Sequence, residues 1–150
     1  MAHSERHLKI GIVGVGQFSK HFIPVFKAHP YVKSVYVTDL IKEREIVAKE
    51  KYDVNAMESF EEMLESDIDC IAIFTQRHLH GTMAIKALEA GKHVYSAVPM
   101  GISVDECGKI IELVKKTKLI YMVGETCYYF PCACFCREKY LNGEFGKFVY

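Results

Sequence analysis

Two glycines and a carboxylate raise the first chemical possibility in this chain. Residues 14–19 read Gly-Val-Gly-Gln-Phe-Ser, directly after the apolar run Leu8–Val13 and ahead of a helical pattern. Gly14 permits the tight turn such a junction needs, and Gly16 lets the backbone approach a bulky anion. The helix behind them would add free amides and the positive end of its dipole, which suits a pyrophosphate. Ser19 stands where the third glycine of that fingerprint would be. A second apolar run, Val32–Thr38, ends at Asp39, 25 residues past Gly14. An acid there can accept hydrogen bonds from the hydroxyls of an adenosine ribose. It would repel a 2′-phosphate, and the next residues, Leu40 and Ile41, bring no arginine to receive one. The pattern favours NAD over NADP. The plainer reading of the same residues is a tight turn and a helix N-cap at Asp39.

Three further groups could carry chemistry. The run Cys70–Phe74 ends in Thr75-Gln76-Arg77-His78-Leu79-His80, and Thr75 is placed where ligands sit in a doubly wound sheet. His78 and His80 are two residues apart and share no helix face, so they make a poor metal pair and read more simply as cap or packing residues. Glu125 follows Val123-Gly124 and precedes Tyr128, Tyr129 and Phe130. A carboxylate beside aromatic rings at a strand end is a candidate acid or base, since apolar surroundings raise its pKa, with Tyr128 as its alternate. Its plainer reading is a solvated loop glutamate. Finally, Cys132, Cys134 and Cys136 crowd one segment, with Cys70, Cys107 and Cys127 elsewhere. No C-x-x-C pair and no histidine after the run supports zinc, so all six are read as buried free thiols and no metal is expected.

The elements that must position these groups follow from periodicity and caps. Leu8–Val13, Val32–Thr38, Cys70–Phe74, His93–Tyr95 and Leu119–Val123 read as strands. Between them, helices are predicted over 17–28 (kinked or shortened at Pro24), 41–51, 78–90 and 104–116. Ser59–Glu62 and Ser103–Glu106 are capping boxes that open a short helix and a long one, and Gly91 closes the helix before it. Strand and helix alternate at the spacing of βαβ units, so the expected fold is α/β, a doubly wound, mostly parallel sheet with helices on both faces. Residues 1–125 are expected to form this dinucleotide-binding domain. Residues 126–150 are expected to be a connecting helix and the start of a further substrate domain, because Lys147–Tyr150 has the look of a strand just beginning.

Composition narrows the partners. The chain has 150 residues, half of them apolar, with 19 acidic and 19 basic side chains. Such a balance supplies no long-range field to gather nucleic acid or an anionic membrane, so neither partner is expected. No apolar run approaches a transmembrane span, and the N-terminal MAHSERHLK has no signal-peptide pattern. A cytoplasmic protein is expected.

Taken in order, G-I-V-G-V-G-Q-F, Asp39, Thr75 with His80, G-K-H-V at 91–94 and Pro99 resemble the Gfo/Idh/MocA family of oxidoreductases. The resemblance implies a Rossmann domain followed by a second α/β domain beyond residue 150, through which a homo-oligomer would form. It implies NAD as cofactor and a carbohydrate or cyclitol as small-molecule substrate. Gly14, Gly16, Gln17 and Phe18 would line the pyrophosphate, Asp39 the adenosine ribose, and Thr75, Gln76 and His80 the nicotinamide half.

The chain departs from the family where chemistry is expected. The family writes Glu-Lys-Pro after G-K-H-V and the strand, its lysine being the usual catalytic group; here Ala97, Val98 and Pro99 stand in those places. Gln76 replaces a common proline, and Gly124-Glu125-Thr126 departs from the family's aromatic residue and asparagine. A neutral strand end cannot take a proton from a hydroxyl. Three outcomes remain open: an oxidoreductase with other acid–base groups, a glycoside-cleaving or epimerising enzyme that uses bound NAD transiently, or a non-catalytic NAD-binding regulatory protein.

Overall fold

A computed structural model describes residues 7–147 of the protein. The expected strand over 147–150 falls largely outside those residues, as does most of the N-terminal stretch. Six strands, β1 (Leu8–Val13), β2 (Val32–Thr38), β3 (Asn55–Ala56), β4 (Cys70–Ile73), β5 (His93–Ala97) and β6 (Tyr121–Gly124), form one sheet in the order β3-β2-β1-β4-β5-β6. Every neighbouring pair is parallel. The expected doubly wound α/β fold is therefore present, with one strand more than the sequence indicated. β3 is two residues long, too short for any periodicity to reveal.

Helices α1 (Ser19–Ala28), α2 (Lys42–Tyr52), α3 (Phe60–Glu65), α4 (His80–Glu89), α5 (Val104–Thr117) and α6 (Pro131–Leu141) complete the chain. Apolar strand residues alternate between two cores, as period-2 side chains must when both faces are covered. Ile10, Ile12, Val35, Val37, Ala72 and Phe74 pack with Ile23 of α1 and Ala48 of α2. Ile71, Ile73 and Val94 pack on the other side with Met63 of α3, Leu88 of α4 and Ile110 of α5. Burying each large aliphatic side chain of these cores contributes roughly 1.5–3 kcal/mol. α1 runs through Pro24 instead of stopping there, because Ile23 beside it is wholly buried and anchors the helix to the sheet.

Both capping boxes form in a shifted version. Ser59 Oγ accepts from the Glu62 amide at 3.1 Å, and Ser103 Oγ from the Glu106 amide at 3.1 Å. The returning carboxylates reach one residue further back than expected, accepting from the amides of Glu58 at 2.6 Å and Ile102 at 2.8 Å. Gly91 adopts φ +78° after α4, the left-handed stop its type allows.

The cysteines correct the expectation of burial. All six are free, but Cys127, Cys132 and Cys136 are exposed, because neither the 3-10 turn Cys127–Tyr129 nor α6 has a buried residue. At Cys70, burial pushes the thiol up to about 12. At pH 8 its thiolate fraction is then on the order of one in ten thousand, and the thiolate is the reactive form. Brief alkylation of the folded protein at pH 8 should modify the exposed Cys132 and Cys136 and leave Cys70 intact by mass spectrometry. Equal labelling of Cys70 would contradict this packing. Among the described residues, no helix is long and apolar enough to cross a membrane, and no group of three or more His, Cys, Asp or Glu is placed to hold a metal.

Candidate functional site

Parallel register brings all the candidate residues to one edge. Val13 pairs with Thr38 on one side and Ile73 on the other, Ile73 with Ser96, and Ala97 with Gly124. The residues that follow, Gly14, Asp39, Thr75, Val98 and Glu125, therefore all leave the carboxyl end of the sheet. The strand order reverses between β1 and β4, and that is where such sheets open a crevice.

At the crevice the glycine loop is tightly specified. Gly14 has φ +90°, and its amide donates to the Thr38 carbonyl at 2.9 Å. A methyl group there would lie 2.8 Å from the carbonyl carbon and oxygen of Phe74, so only glycine fits. Gly16 is the opposite case: nothing lies within 4 Å of where its side chain would be. Backbone there faces open space, as it must if a ligand is to approach. α1 begins directly behind with no side-chain cap, and although the His21 amide bonds back to the Phe18 carbonyl at 3.2 Å, the end of the helix presents backbone amides toward the loop. Ser19, in the third-glycine place, is fully buried and its Oγ donates to the Gly16 carbonyl at 3.0 Å. A small residue thus keeps the close helix–strand contact and fastens the loop as well. These features fit a pyrophosphate.

Asp39 does more than its sequence position suggested. Its side chain is only 7% exposed. Oδ2 accepts from the Val15 amide at 2.6 Å and Oδ1 from the Ile41 amide at 2.9 Å. The acid therefore braces the glycine loop against the end of β2, and it retains lone pairs for a ribose hydroxyl. Arg44, from the first turn of α2, lies 3.5 Å from Oδ1. An arginine does reach this acid; reading only Leu40 and Ile41 missed it, since helical geometry rather than adjacency brings it back. Glu45, buried in the same turn, accepts from the Asp39 amide at 2.7 Å and from the Thr38 hydroxyl at 3.2 Å.

The remaining candidates divide. Gln17 and Phe18 are exposed on the loop; Gln17 Oε1 accepts from Lys20 Nζ at 3.3 Å, and the Phe18 ring packs on Phe22 and Phe74. They would serve a pyrophosphate through backbone amides. Thr75 turns its hydroxyl toward Met83 Sδ at 3.5 Å, while Gln76 is exposed just ahead of the 3-10 turn Arg77–Leu79. His80 is 1% exposed, with both ring nitrogens against backbone carbonyls, so it packs beneath the crevice instead of lining it. Val98 is 42% exposed at the end of β5 and places no titratable group there. Glu125 is exposed, and its Oε1 accepts from the Cys127 amide at 2.8 Å. That carboxylate pushes the Cys127 thiol upward by hydrogen bonding and charge. Tyr128 is half exposed under the Arg137 guanidinium, 4.1 Å from its ring centroid. The apolar enclosure expected around Glu125 is thus not provided by its own segment, whose rings turn outward.

Comparisons with known proteins agree with this fold. The model of the oxidoreductase family with an NAD-binding Rossmann fold, GFO_IDH_MocA, matches residues 8–125. The chain is 32% identical over 149 residues to scyllo-inositol 2-dehydrogenase (NAD(+)) of Bacillus subtilis (strain 168), covering 97% of this chain and 44% of that protein. It is 27% identical over 143 residues to 2,7-anhydro-N-acetylneuraminate hydratase of Escherichia coli (strain K12), covering 95% and 38%. Among solved structures, scyllo-inositol dehydrogenase from Lactobacillus casei with bound NAD(H) and scyllo-inositol superposes with a TM-score of 0.84 at 25% identity, over 94% of this chain and 43% of that one. The chain spans less than half the length of each of these relatives.

Proposed function

The chain belongs to the Gfo/Idh/MocA family of oxidoreductases and has its NAD-binding Rossmann fold, and from that premise we propose that it is the cofactor half of an NAD-dependent enzyme acting on a hydroxyl of a sugar, glycoside or cyclitol. The observation that carries the reading is the bond from the Val15 amide to Asp39. It joins the pyrophosphate loop of β1 to the ribose acid of β2 in one preformed unit. Gly14, Gly16 and the amides of Gln17 and Phe18 would hold the pyrophosphate, and Asp39 the adenosine ribose. Thr75 and Gln76 would border the nicotinamide.

When bound, the cofactor supplies the hydride chemistry, and this chain has to orient it and see to the substrate's proton. Val98 cannot take that proton. Glu125, exposed at the end of β6, is the group we assign to it, with Tyr128 next along the chain. A second reading, transient oxidation with the cofactor regenerated, draws support from the neutral end of β5 and from the likeness to a hydratase of an anhydro sugar.

One experiment separates them. Full-length protein is incubated with NAD and a panel of sugars, glycosides and cyclitols, following nicotinamide absorbance and sugar products in the same samples. We expect NADH to accumulate with a member of the panel, and Glu125→Gln to slow that reaction by about 10²–10⁴-fold, the usual worth of a general base. Altered sugar without NADH would establish the second reading. NAD binding with neither change would leave a cofactor-binding protein without this activity.

A further inference from the structure

We infer that His80 is a positioning residue, which fixes the loop after β5 against the loop after β4 and so shapes the nicotinamide side of the cleft without touching the cofactor. The inference rests on the NAD-site reading above. His80 Nδ1 lies 2.9 Å from the Pro99 carbonyl and Nε2 lies 3.0 Å from the Thr75 carbonyl. These carbonyls belong to the residues that carry the chain out of β5 and β4. The ring spans the gap between the two strand ends, nineteen and five residues away in sequence, and it is almost wholly buried. A neutral imidazole has one N–H and can donate to only one carbonyl at a time. One carbonyl is then hydrogen-bonded and the other is held against the ring, whose buried, rigid plane sets the spacing between the two loops.

The far end of the same loop is pinned independently. Glu106 of α5 accepts from the Ile102 amide at 2.8 Å. Side-chain atoms at Gly81 and Gly101 would lie 2.5 and 2.9 Å from Glu106 Oε2, so glycine at both places lets α4 and this loop close on the carboxylate. The segment 98–102 is therefore held by His80 at one end and Glu106 at the other, and the exposed Val98 projects beside the His80 end. The adenosine side is built from different parts, Asp39 just past β2 and Val15 and Gly16 just past β1. Since β2 and β4 flank β1 on opposite sides, a dinucleotide across the switch point lays its two halves on different supports. A change at His80 should be felt by one half only.

The test compares NADH with ADP-ribose, which lacks the nicotinamide, as ligands of the full-length protein. Affinities are measured by calorimetry, and the fluorescence of bound NADH reports on the ring's surroundings. For His80→Ala we expect NADH affinity to fall at least tenfold, bound-NADH emission to move toward that of free NADH, and ADP-ribose affinity to stay within twofold. His80→Asn, whose amide can still reach the Pro99 carbonyl, should recover part of the NADH affinity; it also carries the test if the alanine variant does not fold. An unchanged ratio of the two affinities, whether both fall or neither does, would overturn the assignment. Wild-type protein that binds neither ligand would instead remove the cofactor reading beneath it.

Discussion

Replacing Gly14 by alanine should abolish NAD binding at concentrations that saturate the wild-type protein, and lower its stability by roughly 2–4 kcal/mol. Two independent costs meet at this residue. Its φ of +90° is one that an L side chain rarely adopts, and the added methyl would sit 2.8 Å from the Phe74 carbonyl. That neighbour is backbone of the segment leaving the central strand β4, so it cannot rotate away. The loop must lift, and with it the amides of Gly16, Gln17 and Phe18. Gly16→Ala is the matched control, since nothing lies within 4 Å of its side-chain position. That variant should fold with nearly wild-type stability and still lose NAD affinity, because the methyl occupies the space a pyrophosphate needs. Denaturant unfolding and calorimetric titration of both variants check the pair. Equal stability of the two would contradict the loop geometry.

Asp39→Ala should weaken NAD binding at least tenfold while narrowing the preference for NAD over NADP. The structural part of the effect comes from the buried Val15 amide, which loses its acceptor on Asp39, while the exposed Ile41 amide can turn to water. Leaving a buried donor unsatisfied costs about 1–3 kcal/mol. The electrostatic part comes from removing a carboxylate that opposes a 2′-phosphate, which also releases Arg44 to meet one. The two parts are separable, because loss of loop order weakens both cofactors alike and loss of charge favours NADP alone. Titrating both cofactors into wild-type and variant protein reads them out. Unchanged affinity for both would remove Asp39 from the site.

Sequence showed best what local chemistry decides. The strand–glycine–helix junction, both capping boxes and the alternation of strands were legible because each depends on residues a few positions apart. What stayed hidden depends on the chain folding back. Asp39 and Val15 are 24 residues apart, and their bond appears only once β1 and β2 pair. Arg44 reaches Asp39 because α2 turns back over the strand end. His80 reads as a packing residue from its spacing and as a neighbour of the nicotinamide from the family motif, and only the packing of α4 beneath β4 and β5 shows it buried against two carbonyls. Glu125 reads in sequence either as a group enclosed by its aromatic neighbours or as a solvated loop glutamate, and the 3-10 turn Cys127–Tyr129, which sends those side chains outward, leaves it exposed. Sequence adjacency is a poor guide to enclosure wherever the backbone leaves a sheet.

Hydrogen–deuterium exchange with and without saturating NAD tests most directly the claim that this crevice holds the cofactor. Peptides covering residues 14–20 and 39–41 should exchange more slowly with NAD, because their amides gain either a ligand acceptor or a more firmly held partner. Peptides on the far side of the sheet, around Lys92 and Asp67, should not change. Protection confined to some other surface, or none at the glycine loop although NAD is bound, would contradict the account.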